Sequence, residues 1–411
     1  MPRFLLLLAF LQFAGSELRA QTARTRAEFE AYCSDFFPKV QALSADKQYR
    51  QILDRYADWE QHYKALAPAT QQDLRGALAN VNYNRACYYA LMKDRPNAVV
   101  SFRQAVHDGY RDYKNAKVDS DLDLIRSDKG FQQQLAAIRE HGDYVYVLQQ
   151  AKGYAANDGR ALPAFRYQAP DETHLAALRK TYKLDSIAGA GNEISRFINL
   201  LHWVHEQVPH DGNHENPKVR NAQNLLSVCQ REKRGLNCRG LATILNEAYL
   251  AMSYKARFVG CMPKDTTDQD SHVINAVYST TLQKWLWMDP TNDAYVMNEQ
   301  GQLLGIEEVR ARLLDGRPLL VNPTANWNHQ VSKTKEDYLY QYMAKNLYKL
   351  QCPVSSQYDL ETRANGKVIQ YITLLPAAAS AQKPAVKTGQ EGTTSFTVYN
   401  TSDAAAFWQK P

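Results

Sequence analysis

Residues 235–291 constrain the fold of this chain more than any other stretch. Cys238 follows a turn at Arg234-Gly235, and apolar residues then recur at helical spacing as far as Met252. Cys238 therefore falls in the first turn of a predicted helix, where free amide N–H groups and the positive end of the helix dipole favour thiolate over thiol. The same N–H groups are suited to hold a developing oxyanion.

Three predicted strands follow this helix, over residues 256–262, 272–278 and 285–288. The second strand begins at His272, and the third ends just before Asp289. Neighbouring antiparallel strands would bring these two residues together, and the sheet can carry the histidine against the N-terminus of the helix. A cysteine, a histidine and an aspartate in this order suit a thiol nucleophile, an imidazole base and a carboxylate that orients the base.

Each of these residues also has an ordinary structural interpretation. A cysteine is often simply buried, a histidine often begins a strand, and Asp289-Pro290 is typical of a turn. The joint order on these elements favours the catalytic interpretation over the three separate structural ones.

The pattern resembles the transglutaminase-like superfamily, a branch of the papain-like cysteine enzymes. The resemblance rests on the helix-initial Cys238, the strand-initial His272 and the sequence Trp-Met-Asp-Pro-Thr that contains Asp289, and it covers roughly residues 198–320. It implies an α+β fold with a core of helix plus antiparallel sheet. It also implies that Cys238 is the nucleophile, His272 the base and Asp289 the orienting acid.

Three further residues are predicted to bind substrate or the oxyanion. Trp203 lies where the family pattern often has an aromatic residue, and Asn237 and Arg239 flank the cysteine. Arg239 departs from the small or acidic residues often met after the nucleophile, which raises the question of whether it obstructs the substrate groove.

The resemblance implies attack of the thiolate on an amide or ester carbonyl, leaving a thioester. Water would then give hydrolysis, as in a peptidase or amidase, and an amine would give transamidation. Exported bacterial-type members of the family more often resemble hydrolases of peptide or peptidoglycan-type amides than cross-linking enzymes, so the resemblance favours hydrolysis. A branch of the family that removes glycans from asparagine is a third option. The opposing hypothesis is an inactive protein that binds a peptide or glycan. No cofactor is expected.

Residues 1–20 read as a secretory signal peptide, with an apolar core too short to span a bilayer and no cysteine at the cleavage point. The rival interpretation is an N-terminal core helix. Secretion or a periplasmic location follows from the first, and no other stretch predicts a transmembrane segment. The net charge of +6, without a basic run, argues against a nucleic-acid partner.

The six cysteines are too sparse for a disulfide scaffold and contain no Cys-x-x-Cys pair. Cys229 with Cys261, and Cys33 with Cys87, remain open as pairs. Cys238 must stay unpaired for the proposed chemistry.

We predict five segments: the leader 1–20, a helical module 21–150, a connection 151–192, a catalytic core 193–335, and a helix and β-rich C-terminal extension 336–411. The helical module contains one tetratricopeptide-like helix pair, broken at Asp94-Arg95-Pro96 and closed by Gly109. It either binds a protein partner or peptide, or only supports the core. In the extension, a hairpin is predicted across residues 358–374 around Asn365-Gly366, and residues 376–394 are predicted to form a flexible loop.

The sequence contains two groups of potential metal ligands, and for neither do we predict a bound metal. Histidines 202, 205, 210 and 214 match no standard zinc spacing, and we favour a polar rim of the cleft or surface positions for them. Asp265, Asp268 and Asp270 offer oxygen ligands for calcium, but a solvated loop is the simpler interpretation.

Overall fold

The computed structural model describes residues 19–151, 153–155 and 157–411. The predicted leader lies almost entirely outside these residues. The chain divides into two compact units, Met1–Asp143 and Tyr144–Pro411; the five predicted segments stay predictions. Among the described residues, no helix is both long and apolar enough to cross a bilayer.

The first unit is helical throughout its described part. Two buried clusters hold it together, one around Trp59 and the other around Phe102. The predicted helix break is present: Asp94 accepts a hydrogen bond from the N–H of Asn97 at 3.2 Å, and Gly109 ends the following helix at a φ of 110°. The tetratricopeptide-like character of this pair stays a prediction. The α-helices are α1 (Arg19–Ala45), α2 (Tyr49–Lys64), α3 (Pro68–Asp73), α4 (Arg75–Leu91), α5 (Arg95–Asp108), α6 (Tyr113–Val118) and α7 (Lys129–Ala137), with 3₁₀ turns at Ser120–Ile125 and Arg139–His141.

The second unit combines helices with one large sheet and several short strand pairs. Its helices are α8 (Tyr144–Gln150), α9 (Thr173–Thr181), α10 (Leu184–Ala188), α11 (Glu193–Gln207), α12 (Ala222–Glu232), α13 (Cys238–Ala251), α14 (Ile306–Asp315), α15 (Ala344–Asn346), α16 (Ala377–Ser380) and α17 (Ala404–Phe407), and a π-helix covers Glu336–Met343. Its strands are β1 (Arg166–Tyr167), β2 (Ala256–Met262), β3 (His272–Ser279), β4 (Lys284–Met288), β5 (Val296–Met297), β6 (Leu320–Val321), β7 (Asn326–Trp327), β8 (Val331–Ser332), β9 (Lys349–Pro353), β10 (Ser355–Ser356), β11 (Val368–Leu374), β12 (Val386–Glu391) and β13 (Thr394–Thr401).

Seven strands form the central sheet in the order β12-β13-β11-β9-β2-β3-β4. All neighbours are antiparallel except β11 and β13, which run parallel. The predicted α+β class, with a helix and a largely antiparallel sheet as its core, is confirmed.

Buried apolar clusters cover both faces of the central sheet at β3 and β4. Val277 and Leu286 pack with the helices α9 to α13, whereas Ile274 and Trp287 belong to the cluster on the opposite face. Every residue of β3 is therefore buried. A strand buried on both faces holds its side chains rigidly, and β3 is the strand that begins with His272.

Two predictions for the C-terminal extension are wrong. Residues 358–362 form turns rather than a strand, with Asp359 at a φ of 55° and its carbonyl accepting a hydrogen bond from Lys367 Nζ at 2.6 Å. The predicted hairpin does not form because both edges of β11 are already paired, with β9 and β13. The predicted flexible loop contains α16 and β12, since β12 finds a partner in β13.

Candidate active site

The N-terminus of α13 holds Cys238 at the first helical position. The side-chain oxygen of Asn237 caps the helix by accepting hydrogen bonds from the N–H groups of Arg239 at 3.1 Å and Gly240 at 3.2 Å. The N–H of Cys238 has no acceptor within the helix, as is general at this position. Asn237 therefore positions the cysteine and leaves its N–H available to a ligand.

Asn216 fixes this cap from outside the helix. Its amide donates to Asn237 Oδ1 at 2.8 Å and accepts from the Asn237 N–H at 3.1 Å. A Cβ at Gly240 would lie 2.9 Å from the Asn216 side-chain amide. A larger residue two positions after the cysteine would therefore displace the Asn216 side chain that fixes the cap.

The sheet register places His272 and Asp289 at the same end of neighbouring strands. Asn275 pairs with Met288 across β3 and β4, so Asp289 follows β4 where β3 begins. The side chain of Asn275 donates to the Ala242 carbonyl at 2.9 Å, which ties β3 to α13. The helix bearing the cysteine and the strand bearing the histidine are therefore held in one fixed arrangement.

The imidazole and the carboxylate are directly paired in the interior. His272 Nε2 lies 2.8 Å from Asp289 Oδ2. Asp289 also accepts hydrogen bonds from the Tyr338 hydroxyl at 2.6 Å, the Asn292 amide at 2.9 Å and the Thr291 N–H at 2.9 Å. Burial raises the pKa of Asp289, but His272 and these donors outweigh it and lower the pKa, so the residue is a carboxylate.

The π-helix supplies two tyrosines that the sequence did not identify. Tyr338 accepts a hydrogen bond from the Trp287 indole at 3.1 Å while donating to Asp289. Tyr342 packs edge-on against the His272 ring, with centroids 5.2 Å apart. The sequence predicts a helix in this extension, and nothing in its apolar spacing indicates the wider π turns.

A second histidine, His210, contacts the cysteine. Its side chain, like that of His272, lies close enough to the Cys238 thiol to lower the pKa of the thiol. The Trp327 indole N–H donates to His210 Nδ1 at 3.1 Å, and the Asn328 side chain holds the His210 backbone N–H at 2.7 Å and carbonyl at 2.9 Å. Since Nδ1 accepts, Nε2 carries the proton of the neutral ring. His210 thus has one fixed tautomer.

The electrostatics favour an ion pair between cysteine and histidine. Burial alone would raise the pKa of Cys238, but hydrogen bonds and charge from His210 and His272 lower it to about 6. Burial would lower the pKa of His272, but Asp289, followed by Cys238, raises it to about 10. Between these values the resting pair is thiolate and imidazolium.

Four of the other five cysteines have a raised pKa, in contrast to Cys238. All six are free thiols, so neither of the two pairs left open by the sequence forms. Burial raises the pKa of Cys33, Cys229 and Cys352 to about 11 in each case, and that of Cys261 well above its usual value. Arg234 beside Cys229 and Arg257 beside Cys352 do not outweigh burial, so these thiols stay protonated near neutral pH.

Two of the weaker predicted site residues have other partners. Trp203 packs against Tyr182, with ring centroids 5.7 Å apart, and against the apolar cluster of the surrounding helices. Arg239 lies over the Phe258 ring and pairs with the buried Glu361 at 3.3 Å. The Arg239 guanidinium is therefore held in an ion pair with a carboxylate of the same chain.

The four histidines of the predicted cluster separate in the structure. His210 reaches Cys238, whereas His202 pairs with Asp293 at 3.1 Å and His214 with Asp211 at 2.6 Å. His205 lies beside the Pro290 carbonyl.

Lys345 holds the acidic loop before His272. Its Nζ lies 2.9 Å from the Asp268 carboxylate and 2.7 Å from that of Asp270. The Lys345 ammonium group is therefore the ion-pair partner of both carboxylates.

A small cleft of about 170 Å³ lies over the two histidines. Its lining comprises both imidazoles and three aromatic rings, with Thr291 and Asn292 beside them and charges near the rim: Trp327, Tyr338 and Tyr342, then Lys333 and Asp337. The cleft borders the two histidines that act on Cys238, although the cysteine itself is not among its lining residues.

The fold and the site together define a papain-like arrangement of cysteine, histidine and aspartate. Residues 180–290 match the family model of the transglutaminase-like superfamily, and this range contains Cys238, His272 and Asp289.

Among solved structures, one described as "a Putative Cysteine Protease from Cytophaga hutchinsonii" is similar to this chain. It is 17% identical over 36% of this chain and 46% of that chain, with a TM-score of 0.24. This chain thus matches less than half of that protein. No curated protein matches the chain significantly.

Proposed function

We propose that this protein is a cysteine hydrolase that cleaves amide bonds in peptides through a thioester intermediate. The observation that carries the proposal is the hydrogen bond between His272 Nε2 and Asp289 Oδ2 at 2.8 Å. It is supported by the effect of His272 on Cys238, since the histidine lowers the pKa of the nearby thiol. Since Nε2 faces the carboxylate, Nδ1 is the ring nitrogen left for the sulfur.

In the first half-reaction, the Cys238 thiolate attacks the amide carbonyl carbon and a C–S bond forms. His272 then gives its Nδ1 proton to the leaving amine, the C–N bond breaks and a thioester remains. In the second half-reaction, the now neutral His272 takes a proton from water. The hydroxide attacks the thioester, the C–S bond breaks, and the thiolate and imidazolium are restored. Asp289 keeps the ring oriented throughout.

The oxyanion of each tetrahedral intermediate needs two donors. We assign one to the Cys238 backbone N–H and the other to His210 Nε2–H. Support for His210 comes from its contact with the thiol and from the Trp327 indole, which keeps Nδ1 as an acceptor and the proton on Nε2. Preorganised donors of this kind commonly contribute about 100- to 1,000-fold to rate.

Water is the favoured acceptor of the acyl group. Cys238 is partly exposed, and Asp337 and Lys333 of the cleft are exposed and half-exposed, which supports access of water to the thioester. Transamidation by an amine substrate uses the same intermediate and is distinguished by experiment.

The test uses a proteome-derived peptide mixture and a tagged primary amine, with wild type and Cys238→Ala compared by mass spectrometry. We expect new peptide termini with wild type only. Incorporation of the tag without new termini would replace hydrolysis by transamidation. Neither product above the level of Cys238→Ala would overturn the enzyme proposal and favour a protein that binds a peptide or glycan.

The His210 assignment is tested by comparing two reactions of the same thiol at pH 9. Acylation by p-nitrophenyl acetate passes through an oxyanion, whereas alkylation by iodoacetamide does not. We expect His210→Ala to slow acylation about 100-fold or more and alkylation far less, with partial recovery in His210→Gln, which retains an N–H donor. His214→Ala is the control. Equal losses in both reactions would mean that His210 acts only on the thiolate.

A further inference from the structure

Three potential metal ligands converge beside Pro290, the residue that follows Asp289. His205 and Glu206 lie at the end of α11, and His329 lies in the turn between β7 and β8. One donor atom from each lies within 4.8 Å of the other two. His329 Nε2 is 3.3 Å from Glu206 Oε1. Two imidazoles and a carboxylate therefore face a common point.

His205 is buried between two hydrogen-bond acceptors. Its Nδ1 is 3.1 Å from the Pro290 carbonyl oxygen, which can only accept, so the proton is on Nδ1. Its Nε2 is 3.1 Å from Asn326 Oδ1. In a neutral imidazole with its proton on Nδ1, Nε2 has only a lone pair to offer.

The Asn326 atom that faces His205 is identified by its other contacts. Oδ1 accepts a hydrogen bond from the His329 N–H at 2.7 Å, and Nδ2 donates to the Thr324 carbonyl at 3.0 Å. Lone pairs of nitrogen and oxygen thus face each other at 3.1 Å. A cation between them removes this conflict, since two ligands at about 2.1 Å from one ion lie roughly 3 Å apart.

We propose that His205, Glu206 and His329 form a binding site for a divalent transition-metal cation of the zinc type, with the Asn326 oxygen at its edge. Two imidazoles with one carboxylate suit such ions, whereas calcium and magnesium require a shell of oxygens. The Pro290 carbonyl on His205 Nδ1 is the kind of outer hydrogen bond that orients a metal-binding histidine. Glu206 and His329 are exposed, so the ion exchanges with solvent.

The bound ion would join the end of α11 to the turn between β7 and β8. Trp327 at the end of β7 and Asn328 in the turn hold the ring and the backbone of His210. The ion therefore has a positioning role in the frame around the cleft and takes part in no bond-making step.

The test measures zinc binding in a Cys238→Ser background, so that the active-site thiolate cannot bind the metal. After removal of metal with a chelator, we expect one equivalent of Zn²⁺ per chain by equilibrium dialysis and titration calorimetry. Glu206→Gln and His329→Ala, both at exposed positions, should weaken binding by at least about 10- to 100-fold. His214→Ala is the matched control, an exposed histidine paired with Asp211, and should bind as the background does. Co²⁺ in place of zinc should give visible absorption that His329→Ala removes.

Two outcomes would overturn the proposal. One is the absence of stoichiometric zinc in the background protein, which would mean that both nitrogens of His205 carry protons. The other is one bound ion whose affinity neither Glu206→Gln nor His329→Ala changes. Because the background protein lacks the thiol, both outcomes are independent of whether the protein is an enzyme.

Discussion

Iodoacetamide is expected to label Cys238 with a pH midpoint of about 6, far below the ordinary thiol pKa of about 8.5. The physical reason is the combined effect of His210 and His272 on the thiol, which outweighs the burial that would raise its pKa. In His272→Ala the pKa should rise toward its ordinary value, held back only by His210. The midpoint should therefore move up by more than about one pH unit.

The midpoint is a better measure than the rate at one pH. A thiolate with a lowered pKa is also intrinsically less nucleophilic, so the two effects partly cancel in the rate. Cys33 provides an internal control, because burial raises its pKa to about 11 and it should stay unlabelled until strongly alkaline pH. Peptide mass spectrometry resolves the two sites. A midpoint near 8.5 for Cys238 that is unaffected by His272→Ala would contradict the activated thiolate.

Asp289→Asn is expected to reduce acylation by p-nitrophenyl acetate about 1,000- to 10,000-fold, the scale seen when the acid of a catalytic triad is replaced by its amide. An amide has one acceptor oxygen, whereas Asp289 accepts from donors on both oxygens. In either orientation the NH₂ group faces a donor. His272 would then turn its unprotonated nitrogen to the amide and a proton to Cys238, which is the wrong tautomer for a base.

The Asp289→Asn substitution should also narrow the range of pH over which acylation is fast, by lowering its alkaline limit. The Asp289 carboxylate raises the pKa of His272 to about 10. Its loss lowers that pKa, so the imidazolium is lost at a lower pH and the alkaline limb of the acylation rate moves down.

Asp293→Asn is the matched control. Asp293 is also a buried carboxylate paired with a histidine, His202, at 3.1 Å, but it lies outside the line from Cys238 to Asp289. It should change acylation by less than about tenfold. Equal losses in the two variants would mean that Asp289 acts only through stability, which urea unfolding of both proteins would reveal.

Local patterns were enough to predict the elements that bear the three central residues. The helical spacing after Cys238, the strand that begins at His272 and the strand that ends before Asp289 were all visible in short windows of sequence. Errors arose where the partner of a strand is distant in the chain. Asn365-Gly366 predicts a hairpin, but β11 pairs with β9 and β13 instead, because strand pairing is decided by which edges of the sheet are free.

The partners of the central residues could not be predicted in the same way. His210 precedes Cys238 by 28 residues. The tautomer of His210 depends on Trp327, which follows His210 by 117 residues. Tyr338 reaches Asp289 from a π-helix, whose altered register depends on packing. The sequence suggests Trp203 as the aromatic residue of the site, whereas the indole that lines the cleft is that of Trp327.

The sequence by itself therefore determined the order of the cysteine, histidine and aspartate and the local element that carries each, since capping, periodicity and turn chemistry act over a few residues. Only the tertiary structure decided which groups surround them: the tautomer of His210, the hydrogen bonds to Asp289, the ion pair of Arg239, and the meeting of His205 and His329. These depend on side chains brought together across the folded sheet, where burial makes each polar contact obligatory but leaves no sign in the local sequence.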